Sequence, residues 1–232
     1  MPRIYDCSVD TELLTGVRIA KVSLQRGELI VLPTDTVYGI GCDAFSADAV
    51  AELLATKGRG PQSPPPVLIP NQATLQALAE KVPQIALVLA EKFWPGALTM
   101  IFHARKTLDW NLGETRGTVA LRIPNQAITL ALLEEVGPLA VSSANLTGQS
   151  AATSTKQAAD YFGDKVSVYL NAGDSSGSLA STILDLTDVR DELGADGSLQ
   201  TSGIIRVVRE GAISVKTIQK VTKDIKLESV TQ

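Results

Sequence analysis

The chain has 232 residues, 44% of them hydrophobic and 20% charged, with a net charge of −4. That length suits one large domain with a full core, and the composition excludes a disordered chain. No apolar run reaches the ~18 residues of a membrane span, and the opening MPRIYDCSVD lacks the apolar centre of a signal peptide, so a cytoplasmic protein is expected.

Cys7 and Cys42 are too few for a disulfide framework and read as reduced thiols. Charge is uneven. Six cations against three acids make residues 206–232 net +3 and leave −7 for the remainder. A body that acidic does not attract nucleic acid as a whole. The basic tail reads as a solvated helical face, with weak RNA binding as its alternative.

In chain order, Asp10 or Thr11 caps a first helix, which Gly27 stops. The buried strand Leu29 to Leu32 runs into the turn Pro33-Thr34-Asp35-Thr36, and Gly39 and Gly41 follow as exposed backbone. Ser46 caps a second helix that ends at Lys57-Gly58-Arg59. Three prolines, 64–66, stiffen the approach to a strand at Val67 to Ile69.

Helices are predicted over 72–80 and 84–93, a turn at Pro95-Gly96, and a strand over 97–103. Strands at 118–123 and 139–142 flank a helix at 127–136, and a helix at 155–162 precedes a strand at 166–170. Strands at 182–186 and 203–208 enclose a flexible polar loop, 188–202. An amphipathic helix at 213–225 closes the chain. Short apolar strands alternating with helices indicate an α/β or mixed α+β layered domain.

Several chemistries are excluded. His103 is the only histidine and lies inside an apolar strand, which disfavours a Ser-His-Asp or Cys-His mechanism. No zinc, P-loop or dinucleotide fingerprint is present. What remains is a recurring pattern: a buried strand, then a hydroxyl or an arginine at its end. Thr34, Asp35, Thr36 and Tyr38 form one cluster, and Lys57 with Arg59 a second. Arg116, Thr118 and Arg122 form a third, with Thr118 and Arg122 on one strand face. Ser142, Ser143, Asn145 and Thr147 form the fourth, and Ser181, Thr182 and Arg209 complete the set. Ligand sites in sheet proteins gather at strand ends.

At these residues the sequence resembles the YrdC-like family, the threonylcarbamoyl-AMP synthases. The matching motifs are Pro33 to Gly41, Lys57-Gly58-Arg59, Val119 to Pro124, Ser143 to Gly148, Ser181 to Asp185 and Arg209-Glu210-Gly211, in family order. The resemblance implies a single domain over 1–232, with 213–232 as a C-terminal helix or tail. It implies an α/β fold, a twisted open mixed sheet with flanking helices around a deep basic cavity.

It also implies a reaction: L-threonine, bicarbonate and ATP, with Mg²⁺ carried on the ATP, give threonylcarbamoyl-adenylate and pyrophosphate. Partner transferase machinery then modifies tRNA next to the anticodon. Lys57 and Arg59 become the catalytic cations on the phosphates. Thr36, Arg122 and Ser181 become threonine contacts, and Ser63, Thr118, Ser143, Asn145 and Arg209 nucleotide contacts. Arg206 competes with Arg209 for the last place.

Where many members have a proline after the arginine and a histidine nine residues beyond it, this chain has Gly60 and Leu68, which removes one threonine contact. Two rivals are an RNA-binding or ribosome-maturation module and a carbamoyl-transfer enzyme. The low aromatic content, 4%, counts against the first.

Overall fold

The structure, a computed structural model, describes residues 2–230 apart from 176, 178, 195, 196 and 224. The N-terminal third holds β1 (Ile4–Asp6), α1 (Asp10–Gln25), β2 (Ile30–Leu32), β3 (Gly39–Asp43), α2 (Ala47–Thr56) and β4 (Val67–Leu68). The middle holds α3 (Gln72–Leu78), α4 (Gln84–Phe93), β5 (Leu98–His103), β6 (Thr118–Arg122), α5 (Ala127–Val136) and β7 (Leu139–Ser143). The remainder is α6 (Thr155–Phe162), β8 (Val168–Asn171), β9 (Thr182–Asp185), β10 (Arg190–Leu193), β11 (Leu199–Ser202), β12 (Ile204–Arg209), α7 (Val215–Thr222) and β13 (Lys226–Ser229).

Eleven strands form one sheet in the order β1-β8-β2-β3-β7-β4-β6-β5-β9-β12-β13. The sheet is mixed, as expected, and evenly so. Five neighbour pairs run parallel and five antiparallel.

Successive strand residues point to opposite faces, and each strand's apolar run divides accordingly. Val31, Ile40, Ala140 and Tyr169 join the larger core with α2, α3, α4 and α6. Ile30, Leu32, Val141, Val168 and Leu170 join a smaller core under α1 and α5. No residue of β5, β6, β9 or β12 belongs to that second core. On that face the covering helices stop partway across the sheet, and the strand residues beyond them are mixed, with Thr99, Thr118 and Arg122 among Ile101, Ala120 and Ile183.

Three local expectations change. Gly39 and Gly41 are not exposed loop backbone. They lie in β3, paired to β2 on one side and β7 on the other. Glycine is needed there because a Cβ on Gly41 would sit 2.8 Å from Val141 Cγ2 and 3.1 Å from the Ala140 carbonyl. The polar loop at 188–202 forms the exposed hairpin β10–β11. The closing helix is shorter than expected, and the tail continues into β13, which adds to β12. At the other end β1, too short to carry a periodicity, pairs with β8.

Candidate functional site

A cavity opens where the helix cover ends. It is lined by strand ends: Thr34 and Thr36 after β2, Leu68 in β4, Arg122 at the end of β6, and Ser142 and Ser143 at the end of β7. Arg59, Thr99, Ser181, Ile183 and Arg209 close the ring. Among the described residues three arginines line it, and no carboxylate does.

Each arginine is placed by a local device. On β6, Val119, Leu121 and Ile123 enter the larger core, so Arg122 emerges on the cavity face, where it is 6% exposed. Its Nη2 donates to Asp35 Oδ1 at 2.6 Å, Nη1 to Thr36 Oγ1 at 3.1 Å and Nε to the Gly96 carbonyl at 2.9 Å. Asp35 Oδ1 also accepts from the Asn125 amide at 2.9 Å, so that carboxylate clamps both turn and arginine. Burial lowers the Arg122 pKa, and Asp35 opposes the shift.

Arg209 reaches the cavity through a bulge. Val207 pairs with the core residue Leu184, but Arg209 pairs with Ile183, which faces the cavity, because Val208 is an extra residue between them. Bulges re-aim side chains in this way. Nε and Nη2 of Arg209 then donate to the Ser181 carbonyl at 3.0 and 2.8 Å. Gly211 lets the chain pass this close, because a Cβ there would lie 2.2 Å from the Ala180 carbonyl. Arg206 is ion-paired with Asp188 on the outside, so Arg209 is the arginine at the cavity. Arg59 donates weakly, at 3.3 Å, from Nη1 to Ser142 Oγ and from Nε to Thr147 Oγ1.

Burial lowers the Arg209 pKa first, and the charges of Arg122 and Arg59 lower it further. Asp35 pairs with Arg122, so among the described residues the charges of Arg59 and Arg209 are the ones left without a carboxylate partner, and the cavity keeps a positive potential.

The predicted residues divide into two groups. Thr36, Arg59, Arg122, Ser143, Ser181 and Arg209 meet at the cavity. Lys57, Asn145, Ser63 and Thr118 are not among its lining residues. Lys57 is 1% exposed, and its ammonium donates to the Ser143 carbonyl and, at 2.6 Å, to the Asn145 carbonyl. It ties the end of α2 to the loop after β7. Burial, then the charge of Arg59, pushes its pKa down to about 7.

Asn145 accepts from Ser143 Oγ at 2.6 Å and donates to the Leu146 and Gln149 carbonyls, shaping the same loop. Ser63 lies in a turn closed on the Gly60 carbonyl, between the lining residues Arg59 and Pro64. Thr118 is four residues along β6 from Arg122, about 13 Å at strand rise, and bonds the Thr115 carbonyl. The ring of His103 bonds the Thr187 carbonyl at 3.1 Å, away from the cavity.

Sequence reasoning missed Thr99. It sits in an apolar strand, and the one signal was a hydroxyl between Leu98 and Met100, both of which enter the larger core.

The chain matches the Sua5/YciO/YrdC family, described as telomere recombination, over residues 22–193. It belongs to that family. A Mycobacterium leprae protein, provisionally named a threonylcarbamoyl-AMP synthase, is 42% identical over 221 residues, 95% of this chain and 94% of its own length. The Pyrococcus abyssi threonylcarbamoyl-AMP synthase is 33% identical over 195 residues, 84% of this chain and 57% of its own length. The crystal structure of P. abyssi Sua5 complexed with L-threonine superposes with a TM-score of 0.82 at 30% identity, covering 98% of this chain and 62% of that one.

Proposed function

We propose that this chain is a threonylcarbamoyl-AMP synthase, acting on L-threonine, bicarbonate or CO₂, and ATP in the cytoplasm. The observation that carries the reading is the convergence of Arg59, Arg122 and Arg209 on one cavity, with no lining carboxylate among the described residues, beside Thr36, Ser143 and Ser181. The named relatives supply the reaction class.

The chemistry asks for such a site. The neutral amine of threonine attacks CO₂, forming the N–C bond and releasing one proton. A carbamate oxygen then attacks the α-phosphorus of ATP, and pyrophosphate leaves with the electron pair of the broken P–O bond. Such transfers are accelerated mainly by positioning and by charges set against the developing anions. No protein nucleophile is needed.

In this reading Arg122 holds the threonine carboxylate between Thr36 and Ser181. Arg59 and Arg209 hold the triphosphate, with Ser143 on the nucleotide side. Lys57 and Asn145 act one step back, fixing the loop that presents Ser143. Ser63 and Thr118 stand farther out, toward the nucleotide.

The cavity lining offers no carboxylate, and the described residues contain no acidic or histidine cluster that would cage a metal. These residues do not fit a resident Mg²⁺ site, so a magnesium ion would arrive on the substrate phosphates. The product is a mixed anhydride, which transferase machinery would consume in modifying tRNA.

The test is pyrophosphate release from ATP. It is expected only when L-threonine and bicarbonate are both present. Release with neither, or RNA binding without turnover, overturns the reading.

A further inference from the structure

We infer that Thr99 and Thr34 set the hydrogen-bond polarity of the cavity, so that Ser181 presents a donor and Thr36 a lone pair to the amino acid. This rests on the proposed function and deepens it.

A hydroxyl has one hydrogen and two lone pairs. Ser181 Oγ lies 3.2 Å from Arg209 Nη2, which can only donate, so one lone pair is taken. Thr99 Oγ1 lies 2.8 Å from the same oxygen. Thr99 is 1% exposed, and among the described residues its hydroxyl has no other partner. If Ser181 donated to Thr99, the Thr99 hydrogen would have no protein acceptor among the described residues, on a side chain 1% exposed against 5% for Ser181, so the more accessible hydroxyl is the one that keeps its hydrogen for the cavity. With Thr99 donating, both lone pairs of Ser181 are filled. The one remaining hydrogen then points into the cavity that Ser181 lines.

The same count at Thr36 gives the opposite sign. Thr34 Oγ1 spends its hydrogen on the Val37 carbonyl at 2.6 Å and accepts from the Thr36 amide at 3.1 Å. Its remaining lone pair, 3.0 Å from Thr36 Oγ1, takes the Thr36 hydrogen. Arg122 Nη1 donates to Thr36 Oγ1, filling one lone pair and leaving one toward the cavity.

The cavity thus sorts a ligand by direction. An amine N–H fits at Thr36, and a carboxylate or hydroxyl oxygen fits at Ser181. An amine held through its N–H keeps its own lone pair free for CO₂. Thr99 and Thr34 are positioning residues, acting through Ser181 and Thr36.

The experiment measures L-threonine binding by calorimetry without ATP, then the separate KM values for threonine and ATP. Thr99→Val leaves Ser181 its hydrogen but no longer holds it toward the cavity, so threonine binding is expected to weaken several-fold, up to about 10-fold, with the ATP KM unchanged. Thr99→Ser is expected to restore it. In a Ser181→Ala background, Thr99→Val is expected to add nothing. If Thr99→Val fails to fold, Thr99→Cys, a much weaker donor, takes its place with the same expectation.

Wild-type threonine affinity in Thr99→Val or Thr99→Cys overturns the inference and leaves the proposed function standing. So does an equal rise in both KM values. A wild-type chain that binds no L-threonine overturns both.

Discussion

Arg59 and Arg122 both line the cavity, yet their substitutions are expected to differ. Arg59 makes only two long hydrogen bonds. Arg59→Ala should leave the melting temperature nearly unchanged and slow pyrophosphate release about 10- to 150-fold, the worth of a charge-assisted hydrogen bond. Turnover near wild type in a steady-state assay would remove Arg59 from the phosphate role. Arg122 is buried and paired with Asp35, so Arg122→Ala also strands a largely desolvated carboxylate. A raised threonine KM is expected together with a lower Tm, and an unchanged threonine KM would count against the carboxylate role.

Lys57 gives a pH signature. Its folded pKa is depressed from 10.5 to about 7, so between those values the unfolded chain holds a proton that the folded chain has released. Stability contributed by this group therefore rises with pH from about 7 to 10.5 and is lowest below 7. Denaturant titrations across that window should show a smaller rise in Lys57→Met than in wild type, and identical slopes would refute the depressed pKa.

Among the elements, β3 depends on its two glycines. A methyl group on Gly41 would meet Val141 Cγ2 at 2.8 Å and the Ala140 carbonyl at 3.1 Å, inside a strand paired on both sides. Overpacking of that kind costs about 1–3 kcal/mol, so Gly41→Ala should lower Tm by roughly 2–12 °C in calorimetry. A wild-type Tm would show that β7 yields.

Elements with a clear periodicity or an apolar run were legible in the sequence: α1, α2, α5, β5, β6 and β7 stand within a few residues of their expected limits. The bulge in β12 was not legible. Nothing in the order Ile204 to Arg209 marks Val208 as the extra residue, because its position is defined by the register of the neighbouring β9. The hairpin β10–β11 was hidden for a similar reason. Its residues are almost all exposed, so no apolar alternation announces it.

For the whole molecule, the sign of the net charge misleads about the site. The chain carries −4, yet three arginines share a cavity that no carboxylate lines among the described residues. Binding of inorganic pyrophosphate should therefore weaken markedly as ionic strength rises from about 0.05 to 0.5 M, since added salt screens partly exposed charges. L-Threonine, a zwitterion with no net charge, should respond far less. Equal salt dependence for the two ligands in calorimetry would mean that the arginines do not form one field.

The sequence by itself determined which residue types were available. It held hydroxyls and arginines at the ends of buried strands, a single histidine set in an apolar strand, and motifs whose order marked the family. Local pattern carries that much because burial and periodicity act over a few residues. Only the tertiary structure decided which of those residues face one another. Strand register, the β12 bulge and the limit of the helix cover bring Arg59, Arg122 and Arg209 to one cavity and turn Lys57 inward onto backbone carbonyls. Many of those are pairings between residues ninety or more positions apart, and a linear pattern holds no record of which strand lies beside which.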